Sequence, residues 1–344
     1  MSSSLEKAFS SMSLAASTPQ GLPIRIVPAH DDDIHGLLQL SNGTMITGSK
    51  DCTLKAWTHE GSPIKTLLQK QNYQHWITAL CPMPHDFWLS GSRDGIIRVW
   101  DQSFQEIHQI QYGMGNFPPH LCKNRNYTRI NCIQGARGED FLFFTGTPCA
   151  IQLWNRTAPN PLVQNYQVSD NDWVYCIEPL DENRFISVVG TTILLWEKEK
   201  NLQSWKQVDV LFDDQMKLEG KRPFISSLVQ MKENPQKMIF VDFYGHVIVS
   251  DFQKKTEELL YKEHQGRAWT VVPLEPNIYV TGADDHTIKI WDLRLKHSVR
   301  TISNHPGRVS SILIQPNTIV AASCPDDLYN SHEKASLFFW DIRV

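Results

Sequence analysis

An all-β chain built from seven repeated units is what this sequence predicts, and three observations carry that expectation. One eleven-residue pattern recurs three times, as TGSKDCTLKAW at 47–57, SGSRDGIIRVW at 90–100 and TGADDHTIKIW at 281–291. Tryptophan is frequent, 11 in 344 residues, and returns at intervals instead of clustering. Short alternating apolar segments open the units, among them 77–80, 130–133, 174–177, 225–229 and 309–314. Alternation of period two marks half-buried strands, and no long helical period competes with it.

The three strong copies share a hydroxyl residue, a glycine, an Asp at the fifth place and a Trp at the eleventh. Weaker copies fill the gaps between them: 145–154 (TGTPCAIQLW) and 187–196 (SVVGTTILLW) keep the hydroxyl and the Trp and lose the Asp. Residues 238–251 carry Ser250 where a Trp would stand, and 319–341 end in SLFFWD after an insertion around 324–334. The equivalent positions are then Trp57, Trp100, Trp154, Trp196, Ser250, Trp291 and Trp340, between 41 residues apart (Ser250 to Trp291) and 54 (Trp100 to Trp154). Turn pairs such as Asn42-Gly43, Asp94-Gly95 and Pro316-Asn317 separate the strands. A period of about 40–45 residues ending in Trp-Asp is a propeller signature.

With Trp100-Asp101, Trp291-Asp292 and Trp340-Asp341, and with Ala29-His30 and Asn304-His305 at the unit starts, residues 23–344 resemble the WD-repeat family. The resemblance implies a seven-bladed β-propeller of four-stranded blades around a channel. It is strong in units one, two and six and degenerate in three, four and five. It also implies a buried His–hydroxyl–Asp–Trp network within a repeat: His30, Thr47, Asp51 and Trp57 in the first unit, and His264, Thr281, Asp285 and Trp291 in the sixth. Unit two supplies Ser90, Asp94 and Trp100 but no histidine in place, with Tyr73 near that position. These groups resemble a catalytic set, but their recurrence marks them as structural. The last unit lacks an outer strand, and the alternating segment 24–27 is expected to supply it, so that an N-terminal strand closes the ring.

Composition narrows the function classes. The chain is 41% hydrophobic and 20% charged, with formal net charge -4 and pI ≈ 6.3. Such a balance gives no global field for nucleic acid or an anionic membrane. No apolar run is long enough for export or membrane insertion. Residues 1–22, rich in Ser and Ala, are expected to be a disordered tail, although Leu5, Phe9 and Met12 fall on one helical face. Seven Cys (52, 81, 122, 132, 149, 176 and 324) show no Cys-x-x-Cys and no zinc spacing. They are expected to be reduced core thiols, which places the chain in the cytoplasm with the nucleus open. No metal and no cofactor are expected. The insertions 102–126 and 198–221 exceed ordinary blade connections and offer a second contact surface.

No nucleophile elbow, phosphate-binding glycine loop or metalloprotease helix is present, and the chain is not expected to be an enzyme. In the family, partners dock on the narrower face, on residues flanking the first inward apolar residue of each unit and on the residue before the turn Asp. That register implies Asp33, His35 and Lys50; Trp76, Thr78 and Arg93; Arg129 and Asn131; Trp173 and Tyr175; Phe224 and Ser226; Trp269 or a neighbour, with Asp284; and Arg308 and Ser310. The partner-binding candidates are Lys50, Trp76, Arg93, Arg129, Trp173, Tyr175, Phe224 and Arg308. Aromatics and arginines dominate binding hot spots, and arginine forks suit carboxylates and phosphates. The mouth is expected to be basic, and the Asp31-Asp32-Asp33 run beside it a solvated loop. The expected function is a non-catalytic scaffold or adaptor, monomeric alone and part of a complex, that binds a protein or an acidic or phosphorylated peptide. One alternative is a substrate receptor of a cullin-RING ubiquitin ligase, since Trp-Asp-x-Arg endings at Arg294 and Arg343 resemble an adaptor-docking box. Another is a propeller enzyme or small-ligand binder.

Overall fold

The computed structural model describes residues 22–69, 75–111, 129–168, 172–199, 204–212, 223–295, 297–324 and 334–343. Residues 1–21, Tyr73 and Cys122 lie outside these, as do parts of the 102–126, 198–221 and 324–334 insertions. Seven four-stranded antiparallel sheets form, each in simple sequence order from the inside outward except the last. In blade one the strands are Ile34–Gln39, Met45–Ser49, Thr53–Trp57 and Pro63–Gln69. The inner strands of the other blades are Ile77–Pro82, Cys132–Gly135, Val174–Pro179, Ile225–Gln230, Ala268–Glu275 and Arg308–Gln315. Each inner strand touches the inner strand on either side, and the first touches the seventh, so the ring is closed.

Blade seven holds Arg308–Gln315, Thr318–Cys324 and Ala335–Asp341, and its outermost strand is Arg25–His30. The register runs Arg25↔Phe339, Val27↔Leu337 and His30↔Ala335. The expected closure is therefore present, and pairing removes an open sheet edge.

The glycine of the repeat pattern has a packing cause. A Cβ on Gly48 would lie 2.3 Å from Cγ2 of Ile77, and one on Gly282 would lie 2.4 Å from Cγ1 of Val309. Gly91 meets Ile130 and Gly146 meets Val174 in the same way, at 2.6 Å. In each case the neighbour is the first inward residue of the next blade. Only a residue without Cβ permits that approach in a close-packed interior. Blade five carries Val241 at this place, and there the next blade supplies Ala268 in place of a larger side chain. Hydroxyls one residue further along add cross-links: Ser310 donates to the Ile34 carbonyl at 2.7 Å, and Thr78 and Ser226 donate to those of Ile130 and Ala268.

The Trp positions fall in one register, from Met45↔Trp57 through Met238↔Ser250 to Ile319↔Trp340. In five blades the indole N–H donates to a hydroxyl of the neighbouring strand, as Trp57 to Thr47 (2.8 Å), Trp100 to Ser90 (2.9 Å) and Trp291 to Thr281 (2.8 Å). Blade one extends the chain: His30 Nε2 lies 2.7 Å from Thr47 Oγ1 and His30 Nδ1 lies 2.9 Å from Asp51. Nδ1 must carry the proton to meet the carboxylate, so Thr47 donates to Nε2 and accepts from Trp57. Burial lowers the His30 pKa, with Asp51 opposing, and keeps the ring neutral. Burial alone would raise Asp51, but the His30 hydrogen bond holds it below the ordinary carboxylate range. Blade six repeats this with His264, Thr281 and Asp285.

Two blades depart from expectation. Unit two does have a histidine: His75, half-buried and nearer the inner strand than the repeat spacing suggests, meets Asp94. Blade five holds a local pair in place of the long-range one, with His246 Nδ1 2.8 Å from Asp242 and both side chains buried.

Blade seven lacks the hydroxyl. Ala321 stands opposite Phe338, as Thr47 stands opposite Lys55. Trp340 Nε1 and His305 Nε2, both buried, consequently have no hydrogen-bond partner, a situation that costs ~1–3 kcal/mol. Ala321→Ser is expected to restore the acceptor and stabilise the fold by about 1 kcal/mol, read as a melting temperature raised by roughly 2 °C. Burial holds the His305 imidazole down from 6.5 to about 4. Its contribution is complete above 6.5 and is lost as pH falls from there through about 4. In urea unfolding, the stability lost between about pH 7 and pH 4.5 should be about 2 kcal/mol smaller in His305→Asn than in the parent.

Candidate protein-binding face

The inter-blade contact that seats each inner strand also builds the candidate face. The first inward residue of a blade points into the ring wall, so its two neighbours are turned toward the rim and the channel. Beside it lies the turn between the second and third strands, joined by main-chain bonds such as Lys50 N to Asp33 O, Arg93 N to Trp76 O and Phe243 N to Phe224 O, each 2.9 Å. All eight partner-binding candidates from the sequence lie on this one face. In blade six, Asp284 N bonds to Arg267 O at 2.8 Å. This settles the open register: Arg267 and Trp269 flank Ala268.

Two regions differ in chemistry. Over blades two to six, cations and rings stack in succession. Trp76 lies under Lys50 (5.0 Å) and Arg93 (4.3 Å), and Arg129 lies over Trp173 at 5.3 Å. An aromatic arc then runs from Trp173 to Tyr175 (6.3 Å), to Phe243 (6.0 Å), and on to Phe224 (6.0 Å) and Trp269 (5.3 Å). Arg267 covers Phe243 at 5.1 Å, and Trp269 Nε1 donates to Asp284 at 2.5 Å. Trp76, Trp173, Tyr175 and Phe243 are half-buried, and Phe224 and Arg267 are exposed.

Over blades seven and one the charges are spent within the chain. Arg308 Nη2 lies 2.6 Å from Asp33, and Lys50 lies 3.3 Å from Asp32 and 4.0 Å from Asp33. Burial works against the Arg308 charge, but Asp33 outweighs it and raises its pKa. This corrects two expectations. Asp33, 8% exposed, is a buried ion-pair partner and not part of a solvated loop, and Lys50 and Arg308 do not make the mouth basic by themselves. The unbalanced charge lies at Arg129 and Arg267, for which no carboxylate comes within ion-pair distance among the described residues. Burial and then Arg93 lower the Arg129 pKa.

Phe243 and Arg267 were missed in the sequence, and only the first had a signal there. Asp242-Phe243-Tyr244-Gly245 aligns with Ser92-Arg93-Asp94-Gly95, both glycines having positive φ (83° and 81°), which would place Phe243 where Arg93 stands. Arg267 was obscured by a small wedge residue, Ala268.

The Trp-Asp-x-Arg turns lie at the other end of the blades. Arg294 closes its fork on Asp292 (2.8 and 2.6 Å), and Arg343 closes on Asp341 (3.0 and 2.9 Å). The described residues contain no group of three or more His, Cys, Asp or Glu placed to hold a metal ion, and no helix long and apolar enough to cross a membrane.

Comparison with known proteins agrees with this geometry. The family model "WD domain, G-beta repeat" matches residues 21–58, 61–101 and 256–292, which are units one, two and six. A CCR4-associated factor 4 homolog of Vanderwaltozyma polyspora is 22% identical over 65% of this chain and 29% of its own length. Telomerase protein component 1 of Mus musculus is 21% identical over 90% of the chain and 11% of its own length. The E3 ubiquitin-protein ligase COP1 of Arabidopsis thaliana is 34% identical over 24% and 12%. The chain thus spans less than a third of each of these relatives. The crystal structure of the WD40 β-propeller domain of Doa1 superposes with a TM-score of 0.70 at 14% identity, over 93% of this chain and 96% of that one. Repeat spacing, blade topology and these matches converge on one conclusion: the protein is a seven-bladed WD-repeat β-propeller.

Proposed function

We propose that this protein is a non-catalytic interaction scaffold whose face at the start of the inner strands binds an acidic or phosphorylated segment of a partner protein. WD40 propellers are generally protein-interaction scaffolds. The finer reading is carried by one observation, the aromatic arc from Trp173 through Tyr175 and Phe243 to Trp269, flanked by Arg129 and Arg267. Rings supply contact area at small entropic cost, and an arginine stacked on a ring keeps its N–H edge available to a carboxylate or phosphate. Each arginine lies over a ring that is only half-buried, at the surface of this face. The ligase-receptor reading has weaker support. An adaptor would have to compete for Arg294 and Arg343 with carboxylates already held at hydrogen-bond distance in the same turns.

The test is a quantitative pull-down from lysate with the full chain and a Trp76→Ala/Arg129→Ala/Trp173→Ala variant that melts normally. Partners retained by the parent should drop by about thirtyfold, the scale of a hot-spot loss near 2 kcal/mol. Retention should also fall as salt rises from ~0.05 to ~0.5 M. Arg294→Ala and Arg343→Ala should leave the captured set unchanged. Equal capture by parent and triple variant would remove the face from consideration.

A further inference from the structure

Just inside the face, the residue following each wedge faces the channel mouth. In blades two, five and seven it is a hydroxyl, satisfied by the carbonyl of the next blade. Blades one and three place His35 and Asn131 there instead. Both side-chain amide atoms of Asn131 are buried and have no hydrogen-bond partner, and the same holds for Arg129 Nε and Asp33 Oδ1. Native structures rarely leave such groups unpaired without a reason. The two donors among them, Arg129 Nε and Asn131 Nδ2, lie on the residues flanking one wedge, Ile130, and call for an acceptor.

The charges around His35 indicate the sign of that occupant. Arg129 from blade three, Asp33 and Lys50 from blade one and Arg308 from blade seven all act on its ring. Arg93 and Tyr175 border Arg129, and Cys324 borders Arg308. Asp33 and Asp32 are matched by Arg308 and Lys50. Arg129 is left as the uncompensated charge.

We propose that this corner, walled by His35, Arg129 and Asn131, seats one oxyanion of the bound segment, a carboxylate or a phosphate group, and that seating it draws a proton onto His35. The inference rests on the reading of the face as a site for acidic or phosphorylated segments. Arg129 Nε and the Asn131 amide donate to the oxyanion, meeting needs the free protein leaves open. Burial first, then Arg129, hold the free His35 imidazole at about 4, so it is neutral at physiological pH. An anion between Arg129 and His35 cancels the field of the first and favours the charged form of the second. Affinity therefore rises as pH falls from neutral, down to the range near 4 where the carboxylates of the ligand are themselves protonated.

The experiment titrates the full chain with a deca-glutamate peptide and with a Gly/Ser peptide bearing one phosphoserine. Calorimetry is run at about pH 7.5 and pH 5.5 in two buffers of different protonation enthalpy, which reads proton uptake directly. Uptake should approach one proton per complex at the lower pH, with affinity for deca-glutamate about tenfold higher. His35→Asn should abolish both changes while binding persists at pH 7.5, and it serves as the blank for the phosphate's own titration. Asn131→Leu, checked for a normal melt, should weaken binding at both pH values. Binding of both peptides supports a general oxyanion seat, and binding of the phosphoserine peptide alone supports a phosphate seat. Proton uptake identical in parent and His35→Asn, or no binding of either peptide, would overturn the seat. If the triple-variant pull-down still shows partner loss in that case, the face survives without it. If the pull-down is also unaffected, both readings fall.

Discussion

The ring is set by one contact repeated between successive blades: the side chain at the head of an inner strand, seated against a residue of the blade before it that at four junctions has no Cβ. Ile77 on Gly48, Ile130 on Gly91, Val174 on Gly146 and Val309 on Gly282 are copies of it. The approach is too close for any other residue, so the glycine in each strong repeat is a packing requirement, not a turn signal. Where Val241 replaces the glycine, the facing residue is the small Ala268, whereas Val188 and Ile225 pack together at the junction of blades four and five with both side chains present.

The same contact dictates what the face can be. Burying one residue at the head of each inner strand turns its two neighbours outward, so every blade must present two side chains there. Evolution is free to choose them because the wedge between them does the packing. In blades seven and one the choice is an ion-pair cluster closed on itself around Asp33. In blades three to six it is a run of rings with two arginines over it. The face is polarised as a result, one side neutralised and one side still open to a partner.

Most of the architecture was legible because the repeat pattern is tied to this packing. The spacing of Trp57, Trp100 and Trp291 located the blades, and even Ser250 kept the register when the indole was lost. What escaped notice has a common cause. Phe243 sits in a turn whose Asp has moved to position 242, where it serves a local histidine pair. Arg267 precedes an alanine too small to announce itself as the wedge. His75 reaches Asp94 from closer to the strand than the repeat spacing indicates. The sign of a charge is visible in sequence, but whether a neighbour cancels it is a matter of geometry. Lys50 and Arg308 looked as available as Arg129 and are not.

Closure by Arg25–His30 has a consequence for biosynthesis. The strand that completes blade seven precedes its partner Ala335–Asp341 in the chain by roughly 300 residues. At ~5–20 residues per second, the roughly 300 residues between them take on the order of 15–60 s to emerge. For that interval the earlier strand has no mate, and six blades can stack on the ribosome as an open arc. Ile24 and Ile26 stay exposed even in the closed ring, and until Ala335–Asp341 emerges the backbone edge of this strand is open as well. The ring can close only after Ala335–Asp341 has emerged, so one seam is the last step of its assembly.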